Sequence, residues 1–147
     1  MEIRKLEPRD REIFTALATQ FYETDSVSHN IPQKNMQAAF DEILTDGPYI
    51  DGFLILHNGE IAGYAILNYT YSMEAGGMLA ILDELFIAPN FQGHGLGSAF
   101  LAYMRENLSE GLKAFRLEFV SDKENLQRLY EKLGFKMMGY SSMIQPL

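Results

Sequence analysis

Cysteine is absent from the 147 residues, which excludes a thiolate nucleophile, a disulfide framework and a Cys-ligated metal. Positive charge is scarce. Twelve Lys and Arg against twenty Asp and Glu leave a formal net charge of −8, with no cationic surplus to displace counterions from nucleic acid. No apolar run reaches membrane-spanning length, and Met1-Glu2-Ile3-Arg4-Lys5 opens no signal-peptide core, so a cytoplasmic protein with no membrane partner is expected. The three histidines, His29, His57 and His94, are too scattered to predict a metal site, and none is expected. The length suits one domain over residues 1–147. Acidity favours a cationic partner, although solubility alone accounts for it equally well.

What is present is a regular alternation of structural signals. Ile3 and Leu6 alternate with charges as a first strand, and Pro8 opens a helix whose apolar face is Ile13, Phe14, Leu17 and Phe21. A polar stretch from Glu23 to Asn30 precedes a second helix, started by Pro32, with Met36, Phe40, Ile43 and Leu44 at helical spacing. Phe53–Leu56 and Ile61–Leu67 flank Asn58-Gly59, a strong hairpin signal. A turn near Ala75-Gly76-Gly77 leads to a strand over Met78–Ile87, which makes the centre an antiparallel meander. Phe115, Leu117 and Phe119 form a further strand, and Ser121-x-x-Glu124 caps a last helix with the stripe Leu126, Leu129, Tyr130 and Leu133. The helix between the two last-named strands makes them parallel neighbours.

The run Gln92-Gly93-His94-Gly95-Leu96-Gly97-Ser98 joins the strand ending at Ile87 to an amphipathic helix bearing Phe100, Tyr103, Met104 and Leu108. Three glycines on alternate positions remove the Cβ atoms that would hold an anion off the backbone, and the helix start presents free N–H groups. A nucleotide pyrophosphate suits such a cradle, whereas a tight turn into a core helix needs fewer glycines. Two nucleotide fingerprints fail. Ser98 stands where G-x-G-x-x-G requires its third glycine, and no Lys-Ser or Lys-Thr follows a G-x-x-x-x-G.

The pattern Q-x-x-G-x-G at Gln92, Gly95 and Gly97 resembles motif A of the GNAT N-acetyltransferase superfamily, and Asn125–Phe135, a helix with a tyrosine ending at Gly134-Phe135, resembles its motif B. The resemblance covers roughly Leu79 to Tyr140 and implies an α/β (α+β) fold. That fold has a mixed, mostly antiparallel sheet with helices on both faces, a splayed parallel strand pair, and a strand after Phe135. It implies acetyl-CoA as co-substrate, with the pantetheine arm against the backbone of Leu85, Phe86 and Ile87. The pyrophosphate would lie on Gln92, Gly93, His94, Gly95, Leu96, Gly97 and Ser98. The family often has an asparagine where Lys123 stands, and Asn125 is the alternative contact. Either an N-acetyltransferase or a non-catalytic CoA-binding module would carry these motifs, and a homodimer is left open.

Acetyl transfer to an amine must remove a proton from an ammonium and return one to a thiolate. At neutral pH an alkylammonium with pKa near ~10.4 is almost wholly charged, so a carboxylate is needed; a tyrosine near ~10 can protonate a thiolate near ~8.5. Tyr130 matches the motif B tyrosine, and packing in the helix stripe is its alternative role. Asp83 and Glu84 are the candidate carboxylates, and the resembling segment carries two acids in polyamine acetyltransferases. Strand alternation sends them to opposite faces unless a bulge intervenes. Tyr22, Asp25 and His29 in the inter-helix loop, with Tyr69 and Tyr71, are candidate contacts to a small-molecule amine.

Overall fold

Asn58 and Gly59 both have positive φ, 53° and 83°, the left-handed pair whose twist matches that of the strands it joins. They link β2 (Ile50–His57) to β3 (Glu60–Ser72) in a computed structural model that describes residues 1–24, 27, 30–119 and 124–146. Around this hairpin the sheet runs in chain order, with β1 (Glu2–Lys5) outside β2, then β3, β4 (Gly77–Ile87) and β5 (Ala114–Leu117). Every pairing is antiparallel except β4 with β5. That pair is parallel because α3 (Leu96–Asn107) carries the chain back across one face.

Helices cover both faces, as the resemblance implies. On one face α1 (Arg11–Tyr22) and α2 (Gln33–Leu44) bury Phe14, Leu17, Phe21, Met36, Phe40 and Ile43 against Leu54, Tyr64, Ile66 and Phe86. On the other, α3 and α4 (Glu124–Lys132) cover Phe53, Ile55, Ala65, Leu67 and Leu82, with Phe100 and Met104 at the centre. Each such fully buried side chain contributes about 1.5–3 kcal/mol. Gly63 permits the closest strand contact, because a Cβ there would lie 2.0 Å from the Phe86 carbonyl oxygen.

Three expectations are corrected. Pro8 opens a 3-10 turn, Pro8–Asp10, and the α-helix begins at Arg11; Asp10 bonds the Glu7 N–H at 2.8 Å and the Arg4 guanidinium at 2.7 and 2.8 Å. β5 stops at Leu117, short of Phe119, since its ladder with β4 ends at Leu82↔Leu117. Residues 135–146 form no strand: methionine, glycine and serine dominate 137–143 and supply little of the β-branched pattern that pairs well, and Met137, Met138, Tyr140, Met143 and Ile144 are exposed. The capping residue Ser121 lies outside the described residues, while Gly134, with φ 92°, ends α4 as expected and lets Phe135 N–H reach the Tyr130 carbonyl at 3.0 Å.

Candidate active site

β4 changes character at Asp83. Ile66 of β3 pairs with Glu84 and Leu67 with Leu82, so Asp83 is an extra residue without a cross-strand partner. The bulge cancels the alternation that would separate the two carboxylates. Glu84 lies on the face of Ile66, toward α1, and the Asn68 side chain, two residues along the same face, is near enough to favour the charged form of the Asp83 carboxyl. Among the described residues, β4 beyond the bulge is paired on one edge only, with β3, because pairing with β5 ends at Leu82. The backbone of Leu85, Phe86 and Ile87 therefore borders an open wedge.

Glu84 is 9% exposed, and both carboxyl oxygens are engaged. Tyr22 Oη donates to Oε1 at 2.5 Å and Tyr64 Oη to Oε2 at 2.6 Å. Burial raises the Glu84 carboxyl above the usual carboxylate range, the two phenols oppose that rise, and the nearby Asp83 charge reinforces it. Burial and the carboxylate together push the Tyr22 and Tyr64 hydroxyls far above the ordinary phenol value, so both stay protonated. Asp83 is exposed at its surface but crowded enough that desolvation raises its carboxyl, against the influence of the nearby Asn68 amide; Glu118 adds to the rise.

The glycine loop follows β4 through a 3-10 turn at Pro89–Phe91. Gly93 and Gly95 have φ of 81° and 71°, and Gly95 is the N-cap of α3. Ala99 N–H is bonded to the Gly95 carbonyl, which leaves the N–H groups of Leu96, Gly97 and Ser98 ahead of the helical ladder. A Cβ built at Gly93 or Gly95 meets nothing within 4 Å, so the cradle is open.

The family model described as "Acetyltransferase (GNAT) domain" matches residues 50–137, more than half of the chain. The chain belongs to the GNAT acetyltransferase family. Among solved structures, an integron cassette protein from the mobile metagenome of Cole Harbour Salt Marsh is 27% identical with a TM-score of 0.79, covering 99% of this chain and 90% of that one. Aminoglycoside N-acetyltransferase AAC(6')-Iy in complex with CoA is 18% identical with a TM-score of 0.77, covering 99% and 93%. A predicted acetyltransferase with acetyl-CoA from Clostridium acetobutylicum is 16% identical with a TM-score of 0.76, covering 98% and 95%.

Within this GNAT domain the sequence-derived site residues are only partly brought together. Gln92 Nε2 donates to the Ile87 carbonyl at 2.9 Å, and so covers one of the β4 groups expected to face the cofactor arm. His94 Nδ1 lies 3.1 Å from the carbonyls of both Phe91 and Gln92, and its ring is 5.0 Å from that of His57. Leu96 packs its side chain into the core, leaving only its backbone to the loop. Asn125 is exposed in the first turn of α4, with no hydrogen bond to the glycine loop among the described residues. Tyr69 donates to Asp51 at 2.9 Å, a carboxylate also held by Lys5, whereas Tyr71 is largely exposed. Asp25 and His29 lie outside the described residues. Among those described, no group of three His, Cys, Asp or Glu could hold a metal ion.

Tyr130 is half-buried between Phe119 and Phe135, with ring centroids at 5.5 and 6.1 Å, and desolvation raises its hydroxyl. It lines a cavity of about 1160 Å³ bounded by β5, α3, α4 and residues 135–142. No residue of β4 or of the glycine loop lines that cavity, so it is distinct from the wedge beside Leu85–Ile87. Sequence reading missed Tyr64 as a site residue. Its signal was a phenol inside the otherwise apolar run Ile61–Leu67, since a buried tyrosine hydroxyl requires a partner.

Proposed function

We propose that this GNAT domain is an acetyl-CoA-dependent N-acetyltransferase acting by direct transfer on a small cationic amine. The observation that carries the reading is the open β4 edge at Leu85–Ile87, set between the glycine-loop anion cradle and the Asp83–Glu84 pair. The residues fit the co-substrate: the N–H groups of the loop suit a pyrophosphate, and an unpaired strand edge suits an amide-bearing arm. Two solved relatives that hold CoA and acetyl-CoA, one of them an aminoglycoside N-acetyltransferase, support it.

The thioester supplies an activated acetyl group. Asp83, exposed beside Asn68, attracts the ammonium; Glu84 takes up its proton; Tyr130 holds on Oη the proton needed by the departing sulfur. With no cysteine in the chain, no thiol of the protein can carry the acetyl group. The same reading treats residues 1–147 as one domain and keeps the cytoplasm as its location.

A panel of polyamines, aminoglycosides, amino acids and peptide amines, assayed by thiol release from acetyl-CoA, tests the proposal. Sustained release with cationic amines is expected. CoA binding with no release for any amine would instead identify a binding module, and release only with neutral or acidic acceptors would overturn the charge-based acceptor class.

A further inference from the structure

Glu84 is buried, 9% exposed, and each of its oxygens accepts a phenol proton, so the way from solvent to this carboxylate runs past the two tyrosines. Tyr64 is fully buried and is therefore closed to a substrate. Tyr22 differs: it is the last residue of α1, half-buried where Tyr64 is fully buried, and it stands at the start of the inter-helix loop with its hydroxyl on Glu84. Among the described residues, the titratable groups that act on this carboxylate are Tyr22 from α1, Tyr64 from β3 and Asp83 from β4, and Asp83 in turn is influenced by Asn68 and Glu118; the Tyr64 ring packs against Phe14, Phe21 and Phe86.

Resting on the acetyltransferase reading, we propose that Tyr22 and Glu84 form a proton relay, with Tyr22 the group that touches the acceptor and Glu84 acting through it. In one concerted step an ammonium N–H bond breaks and a new Oη–H bond forms on Tyr22, while the original Oη–H proton passes to Glu84 Oε1. The nitrogen keeps the electron pair and becomes the nucleophile, Tyr22 remains a neutral phenol, and Glu84 becomes a carboxylic acid that returns its proton to solvent after product leaves. Tyr64 holds the second oxygen and fixes which lone pair faces Tyr22.

Two measurements test the relay. The first needs no turnover: the Glu84 carboxyl of ¹³C-labelled protein is titrated by NMR with and without Tyr22→Phe. Removing a donor that favours the charged carboxylate moves the midpoint upward, and an unchanged midpoint overturns the relay. The second compares acetyl transfer to ethylamine and its mono-, di- and trifluoro derivatives, whose ammonium acidity rises along the series. Tyr22→Phe and Glu84→Gln each lower kcat/KM about 10²-fold with ethylamine, and the loss shrinks steadily toward trifluoroethylamine, which arrives neutral. Tyr64→Phe, altering the same carboxyl away from the acceptor, changes every member of the series alike. A loss that is uniform along the series in Tyr22→Phe overturns the relay while leaving the acetyltransferase reading intact. Failure of the wild-type protein to acetylate any of the four, or any amine of the broader panel, removes that reading and the relay with it.

Discussion

Asp83 and Glu84 are consecutive on one strand and yet share a face of the sheet, because Asp83 is the bulged residue that β3 leaves without a partner. One carboxylate is exposed and the other is sealed under two phenols. In the proposed reaction this difference assigns attraction of the ammonium to Asp83 and proton removal to Glu84.

That division predicts different kinetics for the two substitutions. Asp83→Asn raises KM for a cationic amine with kcat little changed, whereas Glu84→Gln depresses kcat. Steady-state assays with a polyamine read the split, and equal effects on both parameters in both variants contradict it.

The buried carboxyl also has a stability signature. Because its folded pKa lies above the unfolded ~4.3, Glu84 subtracts stability as pH rises through that interval, and the loss persists at neutral pH. Urea melts at pH 4 and pH 7 should show a smaller pH-dependent loss in Glu84→Gln than in wild type, offset by a constant ~1–3 kcal/mol for the phenol left poorly paired. An identical pH dependence in the two proteins removes the linkage.

Asp10 has the opposite sign. It is 3% exposed and bonded to Arg4, whose guanidinium, with the Glu7 N–H, holds its carboxyl below the usual range against the cost of burial. Its contribution is complete above the unfolded value of ~3.9 and is lost as pH falls through the folded one. Asp10→Asn should cost about 3–5 kcal/mol at pH 7, and the two proteins should converge in acid. A gap that persists undiminished at low pH assigns the effect to packing.

The glycines of the loop separate backbone strain from ligand contact. Gly95→Ala, at φ 71°, should lose about 1–2 kcal/mol of stability as well as CoA affinity. Gly97 is inside α3 with Leu85 Cδ2 at an ordinary 3.8 Å, so Gly97→Ala should hold or gain about 0.5–1 kcal/mol while still weakening CoA through its methyl group. Calorimetry with CoA decides, and full affinity in Gly97→Ala denies a close phosphate approach there.

Tyr130→Phe keeps the ring between Phe119 and Phe135 and removes only the hydroxyl. Turnover should fall about 10²–10⁴-fold with acetyl-CoA affinity unchanged. Wild-type turnover would mean that Tyr130 is a packing residue of α4 and nothing more.

Local chemistry made much of this protein legible from its residues. Asn58-Gly59 can join strands in few ways, the spacing of Phe14, Leu17 and Phe21 suits only a helix face, and glycines ahead of Phe100 announce a loop and a helix start, all within a few residues of chain. The family followed from such local patterns. The bulge at Asp83, the Tyr22–Glu84–Tyr64 bonds across 62 and 20 residues, the engagement of Gln92 with Ile87, and the lack of a strand after Phe135 did not follow. Each depends on which edges and faces meet once the strands and helices have packed. A single sequence specifies the face of each element, but the register between elements is settled by the summed packing of the whole core.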